Sequence, residues 1–149
     1  MGALTLRMND VRARIETRVP DIKRFGNAAD FAAVVANNRL PTTTPIAYVL
    51  FGGLLGGKAS ASTGYFIQNY GEALTVILAD RITGDPLGDQ ALKDISPLVA
   101  SVIEAVCGWG PNDASGVFVL RSAELVGAKD SQLIFQIEFT LDDQLRITP

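Results

Sequence analysis

The side chains that could do chemistry in this chain are few and poorly grouped. None of its 149 residues is a histidine. This removes the commonest general base, the commonest metal ligand and every histidine-activated nucleophile. The single cysteine, Cys107, therefore has no imidazole to activate it. It also falls at the C-terminal end of an expected helix, where the dipole disfavours a thiolate. A packed, apolar thiol is the expected state. Carboxylates occur in small groups: Asp80, Asp85 and Asp89 around a turn, and Asp142-Asp143 at an expected strand end. Their spacing matches no calcium loop, and Asp142-Asp143 reads as solvated. Gly56-Gly57-Lys58 has the look of a phosphate loop, but Ala59 stands where Ser or Thr is required and no helix pattern follows. Tyr65, Phe66 and Tyr70 lack the interleaved basic residues of a single-strand nucleic-acid platform. Sheet core or a subunit contact suits them better. No catalytic residue, metal ligand or cofactor is assigned.

Bulk properties agree with a protein that works through its surface. The length suits one domain over residues 1–149, with a core that needs no disulfide or metal. Charged residues are only 19% of the chain, which suits a surface partly covered by partners. The net charge of −3 gives no general affinity for nucleic acid. Basic residues are nonetheless concentrated early, at Arg7, Arg12, Arg14, Arg18, Lys23 and Arg24. That cluster reads either as a solvated helix face or as an arm meeting an acidic partner or DNA. A lone cysteine and no secretion signal point to folding in a reducing cytoplasm. Apolar runs stop well short of the ~20 residues that span a bilayer.

The elements that must present this surface follow from periodicity. Val11, Ile15 and Val19 predict a helix over 9–19, capped by Asn9 or Asp10 and ended by Pro20. Ala28, Phe31, Ala32 and Val35 predict a second helix over 27–37. A proline connector, 40–45, delivers a short strand, Ile46–Phe51. Residues 52–64 carry five glycines and predict a flexible loop. A strand over 65–80 follows, with Phe66, Gln68, Tyr70, Leu74, Val76 and Leu78 on one face. Arg81–Pro86 reads as a turn. The apolar face from Ala91 to Val106 predicts a long helix over 88–106, kinked or briefly broken at Pro97. Strands over 116–126 and from about Leu133 to Leu141 close the chain as a hairpin. The order ααββαββ is an α+β fold, a mostly antiparallel sheet packed against helices.

One segment organises the second half. Cys107-Gly108-Trp109-Gly110-Pro111 ends the long helix, with glycines to stop it and a proline to prevent its restart. Trp109 there reads as a structural anchor held by Gly108, Gly110 and Pro111, filling space between helix and sheet.

Taken in order, several stretches resemble the tail terminator proteins of long-tailed bacteriophages. They are Phe25-Gly26-Asn27-Ala28-Ala29-Asp30-Phe31, Thr44-Pro45-Ile46-Ala47-Tyr48-Val49-Leu50, the glycine-rich stretch with Gln68, Ala73–Leu78, Asp85-Pro86-Leu87-Gly88, Gly108-Trp109-Gly110-Pro111 and Phe135–Thr140. The resemblance spans roughly Ile15 to Arg146. It implies a structural virion protein, not an enzyme, made in the bacterial cytoplasm and placed at the head-proximal end of the tail. It further implies a homo-oligomeric, hexameric ring that caps the tail tube, ends its polymerisation and offers the head-joining surface. The implied partners are the tail tube protein and a head-completion or connector protein, with DNA only passing through and no membrane. Arg14, Arg18, Gly56, Gly57, Lys58 and Tyr65 are the candidate interface residues. The rival readings are another connector or tail-tube subunit, and a small cytoplasmic ligand-binding or enzymatic domain.

Overall fold

A computed structural model describes residues 6–81, 89–129 and 131–149. Three helices, α1 (Met8–Arg18), α2 (Ala28–Asn37) and α3 (Asp89–Val106), pack on one five-stranded sheet. The strands are β1 (Arg24–Gly26), β2 (Ile46–Ser62), β3 (Tyr65–Arg81), β4 (Phe118–Lys129) and β5 (Gln132–Ile147). Their spatial order is β1-β2-β3-β5-β4, antiparallel except for the β1–β2 pair. The chain is α+β, in the element order the periodicities predict. Only β1, three residues long, escapes that reading, because so short a strand carries no period. The turn read over 82–86 lies outside the described residues.

The sheet has a core on each face. Val11 and Ile15 of α1 and Val99, Val102 and Val106 of α3 meet Leu74, Val76, Ile137, Phe139 and Leu141 on one face. Val34 of α2, Leu40, Tyr48 and Ile77 form a smaller cluster on the other. The i, i+4 stripe of α1 and the 3.6-period face of α3 thus bury against the alternating rows of β3 and β5, as amphipathic elements must. α3 continues through Pro97 as one helix. Ser96 Oγ donates to the carbonyl of Leu92 and Ser101 Oγ to that of Pro97. α2 begins with a reciprocal capping box: Asn27 Oδ1 accepts from the Asp30 N–H, and Asp30 Oδ2 accepts from the Asn27 N–H, each at 2.9 Å.

The expected flexible loop at 52–64 is the main correction. Residues 52–62 are the outer half of β2, paired with β3 down to Ser62↔Tyr65, and only Thr63-Gly64 form the turn. Gly64, the second turn residue, has φ +75°, a left-handed conformation that glycine adopts at no steric cost. The other glycines have strand reasons. A Cβ on Gly52 would lie 2.9 Å from the Ala73 carbonyl, and one on Gly57 3.1 Å from that of Asn69. Gly53, with φ +126°, sits at the first of two register shifts. Here glycine marks close backbone approach and bulges, not a loop.

Two further boundaries shift. α1 starts at Met8 with Arg7 at its N-cap position, so neither Asn9 nor Asp10 caps it. β5 runs on to Ile147, so Asp142 and Asp143 both stand within the strand; Asp142 is exposed as expected, whereas Asp143 is buried.

Candidate functional site

The most constrained polar group among the described residues belongs to the early basic cluster, which the sequence reads either as a solvated helix face or as an arm meeting an acidic partner or DNA. Arg7 is 3% exposed. Its backbone N–H donates to Glu72 Oε2 at 2.8 Å, and its Nη1 donates to Glu72 Oε1 and to the Tyr70 hydroxyl, each at 3.2 Å. Nη2 donates to Asp143 Oδ2 at 2.7 Å. Nε makes no hydrogen bond among the described residues and lies 3.6 Å from the half-exposed Asp113 carboxylate. Glu72 is wholly buried. A carboxylate from β3 thus meets the backbone N–H at the N-cap position of α1, where a helix favours negative charge. Asp143 Oδ1 accepts from the N–H groups of Ser115 and Gln144. The network therefore ties the start of α1, the middle of β3, the end of β5 and the segment before β4.

The electrostatics follow from these contacts. Burial by itself would lower the pKa of Arg7. Tyr70, Glu72 and Asp113 outweigh that and hold it above the ordinary arginine value. Burial would raise Asp143. Hydrogen bonds from Gln144 and Ser115, with the charge of Arg7, hold its carboxyl below the usual range instead. Burial pushes the Cys107 thiol up, partly offset by a backbone hydrogen bond involving Leu120. Cys107 lies half-buried against the main core.

Both carboxylates were legible in principle. Glu72 is in phase with Tyr70, Leu74 and Val76, and Asp143 with Ile137, Phe139 and Leu141, the rows that face the core. A charge on a core-facing row needs a buried partner.

The candidate anchor lies next to this network. Gly108 turns the chain out of α3 with φ +77°, and its N–H donates to the Phe118 carbonyl at 2.8 Å. The Phe118 N–H returns to the Trp109 carbonyl at 2.8 Å. The Trp109 ring stacks on Phe118, centroids 6.0 Å apart, and the Arg14 guanidinium lies over the indole, 5.0 Å from the ring centroid. A Cβ on Gly110 would collide with the Gly116 carbonyl, and one on Gly116 with the Asp142 carbonyl. Pro111 is buried.

The six candidate interface residues separate into two places. Arg14 and Arg18 line a groove of about 640 Å³ with Trp109 and Pro111. Arg14 is committed to its own fold there, since Nε also donates to the Ala105 carbonyl at 2.8 Å. Arg18 is exposed, with no ion pair among the described residues. Arg12 pairs with Glu16 at 2.9 Å and lies over the Phe25 ring. Gly56, Gly57, Lys58 and Tyr65 stand together on the β2–β3 hairpin. Residues 54–65 are all exposed, Leu55 by 78%. Gly56 and Gly57 also edge a cleft with Tyr70, Asp142 and Asp143, next to the Arg7 network.

Among the described residues no three His, Cys, Asp or Glu side chains converge as a metal-holding group, and no helix is long and apolar enough to cross a membrane. What the fold presents is a rigidly tied body with a bare hairpin arm. The family model for the phage tail terminator protein matches residues 1–149. The chain belongs to the phage tail terminator family. It is a structural component of the phage tail. No curated protein matches the chain. Within this terminator-family chain, the Gly108–Pro111 turn and the hairpin arm stand at separate sites, one locked into the body and the other exposed.

Proposed function

We propose that copies of this chain close into a hexameric ring that caps the tail tube, ends its polymerisation and offers the surface for joining the head. The observation that carries this reading is the distribution of uncovered apolar side chains. Leu54, Leu55 and Tyr65 stand exposed on the hairpin arm, and Val117, Val119 and Val126 are exposed at the β4 side. β2 and β4 lie on opposite sides of β3 and β5 in the sheet. Apolar patches of this kind on a structural protein mark contact sites. Two different patches on opposite sides suit a head-to-tail interface, which generates a ring when its rotation closes. The arm, rich in glycine and nearly free of charge, is the part suited to lie against the tube.

The arm can be tested separately from the fold. Leu55→Asp changes a side chain that is 78% exposed, so its unfolding free energy should move by no more than about 0.5 kcal/mol. Docking onto preformed tail tubes, read by co-sedimentation, should be lost. A variant that docks as well as the parent would remove the arm from the contact.

A further inference from the structure

On the sheet face opposite α1 and α3, a cleft of about 530 Å³ opens between α2, β1 and the start of β2. Tyr48 lines it and is wholly buried. Its ring lies 5.2 Å from that of Phe31. A Cβ on Gly26 would come within 2.5 Å of it, so only glycine at 26 leaves the ring its place. The Tyr48 hydroxyl is buried and has no hydrogen-bond partner among the described residues. A buried donor left unpaired weakens a fold, and its retention calls for a reason.

The rest of the lining supplies one. Arg24 and Arg39 both border the cleft and are exposed. Neither has an ion pair among the described residues. Asn37 adds an amide. The one acidic lining group is Asp30, whose Oδ2 is held by the Asn27 N–H at the start of α2. Two guanidiniums against one carboxylate leave a single net positive charge. One further carboxylate balances it, whereas a phosphate dianion would overshoot. Guanidiniums match the planar oxygen pair of a carboxylate, and the Tyr48 hydroxyl supplies a third, neutral donor.

We infer that this cleft receives an acidic side chain of a partner protein, with Arg24 and Arg39 pairing with its carboxylate and the Tyr48 hydroxyl donating to it. That the partner is another tail protein rests on the ring reading above; the carboxylate site itself does not. The site lies on the other sheet face from the Arg14–Arg18 groove.

The test uses the isolated full chain and nuclear magnetic resonance of its arginine side chains and tyrosines. Capped Gly-Glu-Gly is titrated in, with capped Gly-Gln-Gly and inorganic phosphate as controls. The glutamate peptide should shift the Arg24, Arg39 and Tyr48 signals at millimolar concentration, and the glutamine peptide should not. Tyr48→Phe should keep or raise the melting temperature, because it removes an unpaired hydroxyl, and should weaken the peptide about tenfold. Arg39→Ala, on the exposed rim, should weaken it by a similar factor without unfolding. Equal response to both peptides, no response at millimolar glutamate peptide, unchanged affinity in both variants, or tighter binding of phosphate would each overturn the assignment. A negative titration leaves ring formation untouched, and a chain that forms no ring can still show the site.

Discussion

Arg7→Ala should lower the stability of the fold by about 3–5 kcal/mol, the range for breaking a buried ion pair by removing one partner. The cause is less the hydrogen bonds that Arg7 makes than the uncompensated charge its removal strands. Glu72 is 0% exposed, and among the described residues its carboxylate would keep only a backbone N–H. Asp143 would keep its Ser115 and Gln144 donors without the 2.7 Å bond from Nη2. Arg7→Met with Glu72→Leu should recover part of the stability, since it strands no charge at position 72, while Asp143 keeps its Ser115 and Gln144 donors but still loses its cation. The pH dependence follows from Asp143. Its folded pKa is depressed, so its stabilising contribution is present above the unfolded carboxyl value of about 3.9 and is lost as pH falls through the folded one. Urea unfolding of the parent should therefore need less denaturant in acid, below about pH 4. In Arg7→Ala that slope should shrink only partly, because the two hydrogen bonds to Asp143 remain. A midpoint unchanged by Arg7→Ala would show that the network does not hold the fold together.

The second large effect is expected at Gly110. Gly110→Ala should cost about 3 kcal/mol, at the upper end for overpacking a tight site. The added Cβ meets the Gly116 carbonyl, and Gly116 is itself pressed against the Asp142 carbonyl. Neither obstacle is the movable tip of a side chain, so the turn would have to lift from β5. Trp109 reports the change directly, as the only tryptophan. Its fluorescence should shift toward that of a solvated indole. Gly127→Ala is the control. A Cβ there has nothing within 4 Å, and its effect should stay within about 0.5 kcal/mol. Equal melting temperatures for the two variants would mean that the turn is free to move.

These two sites mark where sequence reading succeeds and where it stops. α1 and α3 were legible because Val11 and Ile15, or Val99, Val102 and Val106, repeat at the helical period on a single buried face; α2 is a helix as predicted, but Val34 and not Val35 is the residue it buries. β5 was legible as a strand because Leu133 to Leu141 alternate without a break. Its true length was not, because Asp142-Asp143 look like a solvated end until the partner of Asp143 is known. That partner lies 136 positions away, and no local pattern reports so distant a pairing. The glycines of 52–64 misled for a related reason. Glycine serves loops, bulges and close backbone contacts alike, and only the facing strand decides among them. Of the candidate interface residues, Arg14 and Arg18 do share a groove. Arg14 is nevertheless bound to its own α3 and Trp109, so Arg18 is the cleaner probe of any contact made by α1. The orphaned hydroxyl of Tyr48 left no trace in the sequence, where it reads as one more apolar strand position.

The claim that this chain ends tube growth by closing into a ring is tested most directly by the length of tail tubes. Tube protein is polymerised with and without the purified chain and imaged by electron microscopy. The prediction is arrested elongation, with a ring seated at one end of each tube, while the chain alone forms no tube. Tubes that grow unchanged in its presence, or a chain that itself extends into long tubes, would contradict it.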